Sequence, residues 1–131
     1  MATVRLLTDE DVSAEALAVF EDIRATRGTE YINNFWRALA HDPDLLRATW
    51  NRLKTVMAPG ALDPLVKELL YVAVSTANNC EYCVHSHSAA ARAKGMTDEM
   101  YGELLAVIAM ASQTNALATA LQVPTDEMFS A

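Results

Sequence analysis

Apolar residues recur along most of this chain at the spacing of an α-helix. In residues 13–27, Leu17, Phe20 and Ile23 stand three apart and share one helix face, which predicts a first helix there. A short second helix is expected over residues 30–40. No segment alternates apolar and polar residues between turn-forming residues, as a half-buried strand does. The pattern predicts an all-α fold.

Two prolines mark the starts of the next two helices. Pro43 and Pro64 each follow an aspartate, so an N-cap stands directly before a proline at the first helical position. The first of these helices is expected to run to about Met57, and the second to about Thr76. The second is apolar almost all round, so we expect it at the centre of the core. Its one conspicuous acid is Glu68.

The remainder of the chain predicts three more helices. Asparagine favours caps and turns over helix interiors, so the pair Asn78-Asn79 is expected to end the preceding helix. Pro124 is expected to end the regular structure. Between these points, helices are predicted over residues 80–94, 97–112 and 113–121.

The composition fits one globular domain. The chain has 131 residues, 52% of them apolar, with no linker or repeat, so we expect a single all-helical domain over residues 1–131. Its formal charge of −7 argues against nucleic acid or an anionic membrane as a partner, because phosphate groups would repel it. The apolar runs are shorter than the roughly 20 residues of a membrane span. No export signal is visible, which favours the cytoplasm.

Two cysteines and a histidine form a stripe on the helix predicted to start at residue 80. Cys80 and Cys83 are three apart, Cys83 and His87 are four apart, and both spacings place side chains on one helix face. His85 lies about 200° from its neighbours in the stripe and should point elsewhere. The positive end of the helix dipole stabilises a thiolate there. A second cysteine within reach can capture an oxidised sulfur as a disulfide.

Glu68 is the fourth candidate for this site. A lone carboxylate in an apolar segment is unfavourable unless it has a partner or a function. If its helix packs against the next one, Glu68 can reach the stripe, and we expect burial to raise its pKa toward that of a proton acceptor near neutral pH. The competing interpretation is a structural ion pair with a basic residue such as Arg92.

The spacing of these residues resembles a known family. Glu68, eleven residues, Cys80-Glu-Tyr-Cys83, three residues and His87 together resemble the carboxymuconolactone decarboxylase superfamily, within it the AhpD-like alkylhydroperoxidase branch, over about residues 63–111. The resemblance implies an AhpD-like helical bundle whose single-unit subunit assembles into a homo-oligomer, commonly a trimer or hexamer. It also implies that Cys83 attacks peroxide, that Cys80 resolves the product, and that Glu68 and His87 relay protons.

The function predicted from these residues is that of a thiol-dependent peroxidase or a disulfide reductase. Its substrate would be a peroxide or a small disulfide, its reductant a dithiol protein, and no cofactor or metal is expected. One alternative is lactone or acid chemistry of the decarboxylase type by Glu68 and His87. Another is a non-enzymatic oligomeric module that binds metal or senses oxidants. Against a four-ligand zinc site, one helix cannot direct His85 to the same point as the stripe.

Overall fold

The computed structural model describes residues 1–129 and is helical throughout its regular structure. Among these residues there is no strand, and the predicted all-α fold is confirmed. The elements are α1 (Ala14–Arg27), α2 (Asn34–Leu39), α3 (Pro43–Met57), α4 (Pro64–Ala77), α5 (Glu81–Ala93), α6 (Asp98–Ala120) and a 3₁₀ helix, Glu127–Phe129.

Side-chain caps fix where most of the helices begin. Ser13, Asp42, Asp63 and Thr97 each accept a hydrogen bond from a backbone N–H two or three residues further along the chain. Such a bond satisfies one of the N–H groups that the first helical turn leaves without a partner. At the other end of α1, Gly28 adopts a left-handed φ of 64°, which glycine reaches without steric cost. The starts of these helices are therefore determined locally.

The boundary expected after Ser112 is wrong, because residues 113–120 continue α6 without a break. The polar side chains in this stretch do not compete with the helix. The Thr114 hydroxyl lies 3.1 Å from the carbonyl oxygens of Met110 and Ala111 and so bonds within the helix itself. Regular structure also does not end at Pro124, since the 3₁₀ helix follows it.

The described chain falls into two compact units, the first covering Met1–Ala58 and the second beginning at Pro59. The expectation of a single domain stays a prediction. In the first unit, α1 packs on α3 and α2 packs on α3 around a continuous apolar core. The buried members of this core are Leu7, Ala16, Val19, Phe20, Ile23, Ile32, Trp36, Ala40, Leu46 and Trp50.

The second unit packs α4 against both α5 and α6, and it buries fewer apolar side chains. The expectation that α4 lies at the centre of the core is wrong: its buried residues are Glu68, Val72 and Ser75. The α4 side chains that face away are 40–59% exposed and comprise Val66, Leu70 and Val74. None of the residues of α6 is buried. The packing of α5 therefore determines which face of α4 is covered, and most of the apolar side chains of α4 do not lie on that face.

A groove of about 280 Å³ runs between α4 and α6. Apolar side chains line most of it, among them Leu69, Leu70, Leu104, Val107 and Ile108. Within residues 1–129, none of the helices combines the length and the apolar character that a membrane crossing requires.

Candidate active site

The two cysteines are joined by a disulfide at the start of α5. Cys80 is the N-cap residue, and its Sγ accepts a hydrogen bond of 3.4 Å from the backbone N–H of Cys83. The Cα atoms of the two residues are 5.3 Å apart, a separation that one helical turn supplies. The predicted stripe therefore brings the two sulfur atoms into bonding contact at the positive end of the helix.

A tight connection turns the chain back from α4 into α5. Asn79 adopts a left-handed φ of 55°, a conformation that asparagine tolerates better than most residues. The backbone N–H of Cys80 then donates to the carbonyl oxygen of Ser75 at 2.9 Å. As a result, α5 returns along α4, and residues of α4 face the stripe on α5. The asparagine pair that marks this turn in the sequence is what aligns the two helices.

Glu68 meets His87 across these two helices. Its Oε2 lies 2.7 Å from Nδ1 of His87, and its Oε1 accepts a hydrogen bond of 3.0 Å from Nζ of Lys94. The Glu68 side chain is only 6% exposed, against 17% for His87. Both carboxylate oxygens thus have a partner inside the unit. The sequence-predicted pair is brought together, and the catalytic roles assigned to it stay predictions.

The environment of Glu68 holds its pKa below the ordinary value of 4.5. Burial is the largest influence and would raise the pKa, but the hydrogen bonds from His87 and Lys94, with the charges of both groups, together outweigh it. The expectation of a raised pKa is therefore wrong, because sequence reasoning counted the burial and not the two donors. At neutral pH Glu68 is a carboxylate.

An ionised carboxylate also defines the state of the histidine. Since the carboxylate of Glu68 has no hydrogen to donate, its contact with His87 requires the proton on Nδ1. In the neutral imidazole this leaves Nε2 with a free lone pair. The pair therefore has the form of a carboxylate that orients a histidine, with Nε2 as the atom able to accept a proton.

Two further side chains complete this cluster, and sequence reasoning missed both. The ring of Tyr71 stacks on that of His87, with centroids 3.5 Å apart and planes inclined by 17°. Tyr71 follows Glu68 by three residues and Lys94 follows His87 by seven, so helical spacing offered a signal for each. The anticipated partner Arg92 instead pairs with Asp98 at 2.8 Å.

The next histidine and serine on α5 take no part in the Glu68–His87 contact. His85 has a side chain that is 80% exposed and 3.9 Å from the carboxylate of Glu81, which confirms that it points away from the stripe. The hydroxyl of Ser86 donates to the carbonyl oxygen of Cys83. Among the described residues, no three His, Cys, Asp or Glu side chains gather into a group that could hold a metal ion.

Comparison with known proteins places the chain in a family. Residues 43–126, well over half of the chain, match the carboxymuconolactone decarboxylase family. The chain belongs to this family, which confirms the resemblance inferred from the motif.

Two curated relatives share part of this sequence. Over 71 residues the chain is 41% identical to an alkyl hydroperoxide reductase AhpD of Solibacter usitatus, a match that covers 54% of this chain and 38% of that protein. Over 56 residues it is 41% identical to an uncharacterized protein of the cox locus of Paracoccus denitrificans, covering 43% of this chain and 50% of the other. The chain thus spans half or less of the length of these relatives.

A solved structure matches the chain along its whole length. The crystal structure of an alkylhydroperoxidase AhpD core from Rhodospirillum rubrum has 61% sequence identity and a TM-score of 0.96. The match covers 100% of this chain and 98% of that one. The fold is therefore that of the AhpD core.

Proposed function

We propose that this protein is a thiol-dependent peroxidase that works through the Cys80–Cys83 couple. The observation that carries the proposal is the disulfide between these residues at the N-terminus of α5, the helix that also carries His87 of the Glu68–His87 pair. The AhpD relatives support the peroxide-reducing class. Which cysteine attacks first is taken from the family resemblance.

The proposed reaction has three steps. The Cys83 thiolate attacks the terminal oxygen of an alkyl hydroperoxide and the O–O bond breaks, so that Cys83 becomes a sulfenic acid. The alkoxide takes a proton and leaves as an alcohol. The Cys80 thiolate then attacks the sulfur of Cys83, the S–O bond breaks as the disulfide forms, and the hydroxide takes a proton and leaves as water. A dithiol protein finally reduces the disulfide by two thiol–disulfide exchanges and is itself oxidised to a disulfide.

The Glu68–His87 pair would supply the proton acceptor for the first step. The cysteine must lose its proton to become a nucleophile, and Nε2 of His87 is free to take it. Glu68 would stay ionised throughout and hold the imidazole in place through Nδ1. This assigns orientation, rather than proton transfer, to Glu68.

The same couple is a competent disulfide reductase. In its dithiol form it can transfer two electrons to a small disulfide without any peroxide. The two activities share the last step and differ in the oxidant.

Single cysteine variants test the proposal. We expect Cys83→Ser to abolish peroxide-dependent oxidation of a dithiol such as dithiothreitol. Cys80→Ser should still react once, leaving a sulfenic acid on Cys83 that dimedone traps and mass spectrometry locates. In the unmodified protein, peroxide should remove two hydrogens from the peptide that contains both cysteines.

The outcomes separate the alternatives. Undiminished oxidation by Cys83→Ser would refute the proposal. A sulfenic acid trapped on Cys80 in the Cys83→Ser variant would reverse the two roles. Turnover of a lactone acid that survives replacement of both cysteines would favour the decarboxylase chemistry instead. Stoichiometric zinc in the purified protein, removable by chelator, would favour a metal-binding module.

We also propose that the protein is a homo-oligomer, a trimer or hexamer, assembled through the face of α4 and α6. This face exposes Leu70, Val74, Val107 and Met110 by 51–65%, and α6 carries no charged residue between positions 104 and 120. A contiguous exposed apolar surface of this kind is typical of a protein interface.

A further inference from the structure

Lys94 belongs to the cluster around Glu68, but the proposed redox steps assign it no role. It is the C-cap residue of α5, and its side chain is 39% exposed. Its Nζ nevertheless reaches Oε1 of Glu68, a carboxylate that is 6% exposed, at 3.0 Å. A surface ion pair of two flexible side chains has little effect, whereas one with a buried partner changes what that partner can do.

The geometry makes Lys94 and His87 share one carboxylate. They lie seven residues apart, two turns along the same face of α5, and Glu68 on α4 bridges them. Because Lys94 occupies Oε1, only Oε2 is left for the imidazole. The carboxylate is therefore held at both oxygens, and its plane is fixed relative to the ring of His87.

We propose that Lys94 is a positioning residue that keeps Glu68 ionised and thereby holds the proton of His87 on Nδ1. The proposal rests on the proposed function, in which Nε2 of His87 must be free. Without the lysine, burial favours a protonated Glu68. A protonated carboxyl can donate to Nδ1, and the imidazole hydrogen then sits on Nε2, where it prevents that atom from accepting a proton from a thiol.

The other groups around the pair do not replace Lys94. Tyr71 from α4 faces the flat side of the imidazole, and Cys83 stands one turn before it on α5. On α6, which also packs against α4, the acidic residues are exposed, namely Asp98, Glu99 and Glu103. Among the described residues, the Glu68 carboxylate accepts its side-chain hydrogen bonds from Lys94 and His87.

The test compares variants of Lys94 with a matched control. Lys94→Met removes the charge and keeps the length, Lys94→Gln keeps an N–H donor without the charge, and Lys94→Arg keeps both. Arg92→Met removes a positive charge from the same end of α5, where it pairs with Asp98 rather than Glu68. If Lys94→Met does not fold, Lys94→Gln is judged by the same criteria.

The first measurement does not depend on activity. In the oxidised protein, the carboxyl carbon of Glu68 is followed by NMR through a pH titration. We expect Lys94→Met to raise the pKa of Glu68 by about one unit, a shift at the lower end of what a neighbouring opposite charge produces. Lys94→Arg and Arg92→Met should match the parent protein. An unchanged titration in Lys94→Met and Lys94→Gln overturns the proposal.

The second measurement is the pH profile of dithiol oxidation by peroxide. Lys94→Met should fall below the parent protein by up to about twofold near about pH 5.5, by more at lower pH, and rejoin it above about pH 7.5, where Glu68 is ionised without help. Lys94→Arg should restore the profile. A uniform loss at every pH would mean that Lys94 only supports the fold. If the parent protein has no peroxidase activity, the proposed function fails while the NMR titration still decides the role of Lys94.

Discussion

The two units of this chain are both helical, but they differ in what their helices bury and what they expose. The first buries apolar side chains such as Phe20, Ile23 and Leu46 completely, and no carboxylate lies in its core. The second buries a carboxylate, Glu68, and leaves the apolar side chains of α6 exposed. The apolar core of the first unit is covered by its own helices. The second unit is instead arranged around a polar cluster, and one of its apolar faces is exposed to solvent.

The acids of the two units show the same difference. In the first, Asp22 accepts a hydrogen bond of 2.6 Å from Nε1 of Trp50 and pairs with Lys54, yet its side chain stays 46% exposed. In the second, Glu68 has two comparable donors but is 6% exposed. Water screens the interactions of the half-exposed Asp22 with its partners, so these have a small effect. Water screens the buried Glu68 much less, so its partners determine whether it is ionised.

Among changes that compare the two units, removal of the buried charge should have the largest effect, and that effect is on activity. Glu68→Gln keeps the shape of the side chain but cannot hold His87 with a negative charge. The rate of dithiol oxidation by peroxide should fall by about 100-fold, the lower range of losses when a proton-transfer group is disabled. Asp22→Asn, the matched change in the first unit, should leave the rate within about twofold. If the two variants lost the same amount of activity, Glu68 and Asp22 would not differ in their effect on the reaction, which would contradict this comparison.

The part of this site that sequence predicts is the part that local geometry controls. The stripe of Cys80, Cys83 and His87 follows from helical spacing, and the N-cap position of Cys80 follows from the asparagine turn before it. Likewise, the aspartates before Pro43 and Pro64 fix two helix starts through a hydrogen bond within three residues. These features need no knowledge of how one helix packs on another.

What sequence could not supply depends on that packing. Lys94 and Tyr71 become part of the site only because α5 returns along α4 in one register. Without them, the balance of influences on Glu68 has the wrong sign, and its pKa is expected to rise rather than fall. The sequence also could not predict that one side of α4 is exposed, because an apolar helix can be covered either by its own chain or by another subunit.

The next effect concerns the apolar face of the second unit. Val107→Glu places a charge in the middle of that face, at a residue that is 65% exposed, and should lower the solution mass from a trimer or hexamer toward a monomer. Leu45→Glu changes an apolar side chain of the first unit that is 50% exposed, and should leave the mass unchanged. Light scattering after size-exclusion chromatography measures both. A monomeric parent protein, or loss of assembly by Leu45→Glu alone, would contradict the proposed interface.

The smallest effect is on stability in acid. Because the pKa of folded Glu68 lies below its unfolded value, its ionisation stabilises the fold above about pH 4.5, and this contribution is lost as the pH falls through the folded pKa. The pKa of Asp22 is also lowered, by its bonds to Lys54 and Trp50, but solvent screens that half-exposed group. Urea unfolding between pH 3 and 6 should therefore depend less on pH in Glu68→Gln than in Asp22→Asn. A dependence in Glu68→Gln that is steeper than in the parent protein would mean that the burial of Glu68 outweighs its two donors.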